Sequence, residues 1–234
     1  FSFVGAPFMR ALFVSAKSKI FWTTAILLVA GMFVVGSTNY KILETAVYVG
    51  AIWMTLGAYS ELEARGINWR SASVISLISG LLFTLAGYFL ILKNLTTTDF
   101  LNETLEPLRL EMNKIFPKNN LEPGALVKYM PGVILATLFG SLALSFAFEA
   151  KIAKMFNIQR ERVASGLRWL EFRLPDSIVW LTLTALLFLG LGLDNVFVKT
   201  VSINFLIVAA VAFFFQGFAV VEFMIRFYRL GLFT

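Results

Sequence analysis

The 234-residue sequence contains no cysteine and no histidine. The first absence excludes disulfides, thiolate metal sites, iron–sulfur clusters and thiol nucleophiles. The second removes the usual ligand of zinc, haem and copper and the commonest general base near neutral pH. Charge is scarce too: 15% of the residues are Asp, Glu, Lys or Arg, against about 25% in ordinary soluble domains. The chain carries no glycine-rich phosphate loop and no Gly-x-Ser-x-Gly elbow. Ser76 and Ser79 stand in an apolar run with no His or Lys to activate them, which argues against an intramembrane protease. The expectation is a protein that is not an enzyme and holds no cofactor and no metal.

Hydrocarbon is what the chain has in excess. Apolar residues make up 59%, Phe alone accounts for 25, and the mean hydropathy is +0.80. A soluble fold of this size has too little interior to hide them. An outer-membrane barrel alternates apolar and polar positions and averages to a lower hydropathy. What remains is all-α: a polytopic helical membrane bundle in contact with the lipid bilayer. The net charge of +6 then belongs to basic loops at the membrane surface and implies no nucleic acid.

Crossing about 30 Å of hydrocarbon takes about 20 mostly apolar residues. Six stretches qualify, at 20–38, 42–59, 72–92, 132–150, 177–193 and 201–223, within a single integral membrane domain over 1–234. The opening run, Phe1 to Val14, is too short to cross alone. It stays open as the stub of an earlier span, a re-entrant piece or an interfacial segment. Starting at Phe1 and ending at Thr234 with no polar tail, the sequence reads as part of a longer protein.

Basic residues set the orientation. One side collects Arg10, Lys17, Lys19, Arg65, Arg70, Arg226, Arg229 and the six basic residues of 151–174. The other has Lys41, Lys199 and the five of the linker between the third and fourth spans. Long loops translocate largely regardless of charge, so the linker is discounted and both ends of the six-span unit are expected in the cytoplasm.

Two linkers show helical periodicity. At 94–130, Leu101, Leu105, Leu108, Met112 and Ile115 share one face, and Pro117, Pro123 and Pro131 are expected to keep this outer helix from joining the fourth span. It reads as a helix lying on the bilayer or as a lid over an outward cavity. At 151–174 the apolar face is rimmed by Lys151, Lys154, Arg160, Arg162, Arg168 and Arg173, with Trp169 among them. That pattern fits anionic lipid headgroups or a cytoplasmic partner. Asp176 is expected to cap the fifth span behind Pro175.

Ionisable groups inside the spans are few. Glu44 sits one turn into the second, Glu61 and Glu149 at span ends, and Glu222 four residues before Arg226, which reads as an interfacial ion pair or as a buried functional carboxylate. Small residues form two stripes, Gly132, Ala136 and Gly140 on the fourth span and Ser76 and Gly80 on the third. Such stripes pack helices within a chain or dock another membrane subunit, or a second copy in a homo-oligomer. Asn204 and Gln216 are the costliest polar groups to leave without partners in hydrocarbon. With Trp53 and Tyr88, which read otherwise as interfacial belt residues, they are the candidate small-molecule ligands.

The run Phe172-Arg173-Leu174-Pro175-Asp176 before one span, with Phe214-Phe215-Gln216-Gly217-Phe218-Ala219-Val220-Val221 in the next, resembles the YybS-like family of bacterial predicted multi-pass membrane proteins. The resemblance lies in the last third of the chain. It implies a bacterial inner membrane and a further hydrophobic segment after the sixth span, and the family has no settled activity. In size and span count it is similar to the substrate-binding membrane subunits of energy-coupling-factor vitamin transporters. Two functions follow: a transport-related subunit binding a small molecule in the outer half of the bundle, or a structural subunit anchoring or surrounding a larger inner-membrane complex.

Overall fold

The computed structural model describes residues 2–15, 18–36, 40–94, 110, 123–155, 157, 173–192 and 195–228. Seven helices are found among them and no strand: α1 (Ser2–Ser15), α2 (Ser18–Gly36), α3 (Tyr40–Ala64), α4 (Trp69–Asn94), α5 (Pro123–Met155), α6 (Asp176–Gly190) and α7 (Val196–Phe227). Five of them, α2, α3, α4, α5 and α7, are long and apolar enough to cross a membrane. The protein is a multi-pass helical membrane protein.

The expected fifth span comes out short. At about 1.5 Å per residue α6 reaches roughly 22 Å, less than about 30 Å of hydrocarbon, because it is only 15 residues long. Its place in the topology is nevertheless defined. Contacts between α5 and α7 progress from Gly132 with Asn204 to Phe139 with Phe215, so these two helices run in the same direction. The chain must return between them, and α6, packed on α7, is the helix that does so among the described residues. Pro175 takes its N-cap position. Asp176 is therefore the first helical residue rather than the cap, with Arg173 at 3.9 Å.

The helix breaks expected from proline also need correcting. Pro123 opens α5, a position that costs no hydrogen bond. Pro131 lies inside the same helix and does not end it. Consequently α5 extends into both expected linkers, taking 123–130 from one and 151–155 from the other. Of the remaining residues of 94–130 and 151–174, only 94, 110, 157, 173 and 174 fall within the described part.

Helix α3 is the axis of the bundle, with α2 and α4 on its flanks and α1 wedged between it and α5. Helices gain little from the hydrophobic effect when lipid is the alternative, so close fit decides their pairing. Ala51, Ile52, Leu56 and Tyr59 of α3 form a buried cluster with Ala6 of α1, Ala72 of α4, and Leu138 and Leu142 of α5. A second cluster joins Phe13 of α1, Phe21 and Ala25 of α2, and Trp53 of α3. Gly57 makes room for it: a Cβ there would stand 2.6 Å from Trp22 and 2.8 Å from Phe21. Hydroxyls within the helices are largely absorbed by their own backbones, as in Thr55 to the Ala51 carbonyl and Thr84 to that of Gly80, both at 2.8 Å.

The α3–α4 connection is encoded locally. The Ile67 amide donates to the Leu62 carbonyl and that of Gly66 to Glu63, with Gly66 at φ 76°, a left-handed close that glycine adopts without strain. Asn68 then accepts from the Arg70 amide and starts α4. On the lipid-facing side of α2, Gly31 is exposed and meets nothing that an added Cβ would touch. Gly31→Ala is therefore expected to leave packing intact and to raise stability by up to about 1 kcal/mol from helix propensity, read as a later midpoint in detergent unfolding.

Candidate functional site

The feature that stands apart from apolar packing is on α1. Ala6, Arg10 and Phe13, spaced four and three apart, share the face of α1 turned into the bundle. Arg10 there is only 1% exposed and is the largest fully buried side chain among the described residues. An arginine cannot shed its proton, so the bundle must solvate a full charge.

Helix α3 supplies most of that solvation from its last two turns. Arg10 Nη2 donates to Glu63 Oε2 at 2.6 Å, and Nη1 donates to Ser60 Oγ at 3.1 Å. Ser60 in turn donates to the Leu56 carbonyl at 2.8 Å, so its lone pair is left facing the guanidinium. Two aromatic faces complete the enclosure: the guanidinium carbon lies 5.0 Å from the centre of the Tyr59 ring and 4.9 Å from that of Phe146 on α5. Both distances are within the reach of cation–π attraction. The rings pack edge to face at 4.7 Å, so one cation draws α1, α3 and α5 together. Next to it Ser18, the first residue of α2, hydrogen-bonds Glu61 of α3.

A second polar contact joins α5 to α7. Asn204 Oδ1 accepts from the Gly132 amide at 2.6 Å, while Nδ2 donates to the Lys128 carbonyl at 2.8 Å and to Thr200 at 2.9 Å. Asn204 is thus engaged by backbone groups. The other three candidate ligands lie at different contacts. Trp53 is buried against α1 and α2, its ring 5.4 Å from that of Phe21. Tyr88 is half-buried on α4, and Gln216 is half-buried on α7. Among the described residues, Trp53 Nε1 and Gln216 Oε1 are buried with no hydrogen-bond partner, as is Ser141 Oγ.

The small-residue stripes face neighbours in the same chain. Gly132 sits against Asn204, and a Cβ added to Gly80 would press on Thr55 and on Leu138 of α5. Ser76, Ala136 and Gly140 are buried. Of the basic set, Lys154 and Arg173 are exposed. The side chain of Lys151 and residues Arg160, Arg162, Arg168 and Trp169 lie outside the described part, as do the side chains of Glu149, Glu222 and Arg226.

A family model described as a predicted membrane protein (DUF2232) matches residues 1–233. The chain belongs to the DUF2232 family. No curated protein and no solved structure matches it. In this DUF2232 chain the residue that sequence reasoning passed over is Arg10, counted there only as one more basic group beside the membrane. The available signal was a lone cation inside a run of apolar residues, with a small residue four positions before it and an aromatic three after.

Proposed function

We propose that this membrane protein is a transport-related, non-enzymatic subunit of a bacterial inner membrane. It takes a small molecule in the outer half of the bundle, and the Arg10 centre closes the bundle at the cytoplasmic end. The observation that carries this reading is the buried guanidinium. A bundle whose sole task is to occupy the membrane is served as well or better by apolar residues at such positions. Ionised groups inside membrane bundles characteristically mark solute and ion pathways. Scarce charge within the spans is one ground for a structural subunit, beside the small-residue stripes and the basic cytoplasmic helix, and a cation 1% exposed between three helices weighs against it.

Other support is coarser. The excess of basic residues around the α1–α2 and α3–α4 connections supports a cytoplasmic position for them by the positive-inside rule. Motif residues 172–176 and 214–221, similar to the YybS-like family, support a bacterial inner membrane. The likeness in size and in the six spans expected from the sequence to vitamin-binding transport subunits supports a small solute. The second reading, a subunit anchoring a larger complex or a homo-oligomer, draws on α6, whose Trp180 is 70% exposed on a helix held chiefly by α7.

The native absence of cysteine makes water access measurable. Ala6→Cys and Ser145→Cys, both at positions with no exposed surface, are to be treated in vesicles with a membrane-impermeant maleimide. Little labelling is expected while Arg10 and Glu63 are intact, and clear labelling from the cytoplasmic side once Glu63→Gln loosens the closure. Equal and negligible labelling in both backgrounds would overturn the transport reading.

A further inference from the structure

Helix α5 lacks one rung of its backbone ladder, and α7 engages the rung beside it. Pro131 has no amide hydrogen, so the Val127 carbonyl has no partner from position 131. The next rung in a regular helix would join the Gly132 amide to the Lys128 carbonyl. Asn204 of α7 engages both of those groups at once, accepting from the first at 2.6 Å and donating to the second at 2.8 Å. Its orientation is unambiguous, because an amide only donates and a carbonyl only accepts. The fit depends on Gly132: a Cβ there would stand 2.8 Å from both Cα and the carbonyl oxygen of Asn204.

We propose that α5 is hinged at Pro131–Gly132 and that the Asn204 carboxamide is the latch that holds the hinge in one of two states. In the latched state the amide bridges the rung and ties residues 123–132 of α5 to α7. In the released state the Gly132 amide has only the Lys128 carbonyl as its partner, and Asn204 keeps the Thr200 carbonyl that it already holds at 2.9 Å. Both states satisfy these backbone groups, as a membrane interior demands, so neither is closed off by an orphaned donor. Only one of them couples the helices. Side-chain insertion into a helix ladder and proline are both recognised causes of kinks, and here they fall on adjacent rungs. The inference stands independently of the transport reading and of the Arg10 centre.

The test uses the whole chain in lipid nanodiscs with spin labels at Ala125→Cys, on the hinged arm, and Arg70→Cys, at the start of α4. Ala125 stands six residues from Pro131, an arm of about 9 Å, so a change in kink of about 20° moves it by about 3 Å. With Asn204 present, one narrow distance is expected. Asn204→Leu, which preserves bulk and abolishes all three hydrogen bonds, should shift and broaden it. Adding Pro131→Ala should restore a narrow distribution, because a continuous ladder no longer hinges. Should Asn204→Leu fail to fold, Asn204→Asp keeps the acceptor for Gly132 and loses the donor, and broadening between the two extremes is expected. An unchanged distance in whichever of these variants folds, or broadening that Pro131→Ala leaves untouched, would overturn the proposal.

Discussion

Glu63→Leu is expected to cost the bundle about 3–5 kcal/mol, the range for removing one member of a buried ion pair. The loss falls on Arg10, which keeps its charge and its 1% exposure while its carboxylate at 2.6 Å is gone. Arg10→Met should cost less. Glu63 is 16% exposed, so a carboxylate left behind reaches water, and methionine retains much of the packing against Tyr59 and Phe146. The double variant Arg10→Met, Glu63→Leu should recover most of the stability lost in Glu63→Leu. Unfolding of the purified protein in mixed micelles, followed by tryptophan fluorescence, reads all three. A double variant as unstable as the sum of the singles would show that the two charges do not act as a pair.

Gly132→Ala carries the second large effect. The added methyl would lie 2.8 Å from backbone atoms of Asn204 and 2.6 Å from its Oδ1, and backbone on a packed helix cannot rotate away as a side chain does. Overpacking of this kind costs about 1–3 kcal/mol. The same change at Gly31, where nothing lies within 4 Å, supplies the control, so the contrast isolates close approach from helix propensity. If both substitutions prove neutral, the α5–α7 contact is looser than the distances imply.

Some of this architecture is plain in the chain itself. Long apolar runs with few charges leave no alternative to membrane helices, and the helix starts of α2 and α4 fall within three residues of those expected. The Arg65-Gly66-Ile67-Asn68 turn is a local matter, decided by one left-handed glycine and one capping asparagine. Pro131 shows where local reasoning stops. A proline inside a helix forfeits one hydrogen bond, and by itself that predicts a break. The helix nevertheless continues through it, and the neighbouring Gly132 amide meets a side chain 72 positions away in sequence, a distance that no periodicity reports. The end of α6 is similar: hydropathy continues past Gly190 into Leu191-Gly192-Leu193, yet Gly192 at φ 62° turns the chain.

The candidate site was the least legible part. A span search passes over α1 because 14 residues fall short of any crossing window, and its single arginine then enters the account merely as surface charge. Asn204 and Gln216 were singled out by cost alone, which says that a polar group must be met but not by what.

Composition alone determined the solvent of this protein, its helical class and the chemistry it lacks, since these depend on how much hydrocarbon must leave water and on which side chains exist at all. Tertiary structure decided which helix is innermost, which charge is enclosed and which helices the Asn204 carboxamide joins. Those outcomes rest on contacts a few ångström long between residues dozens of positions apart, and only the packed bundle brings Arg10 to Glu63 and Asn204 to Gly132.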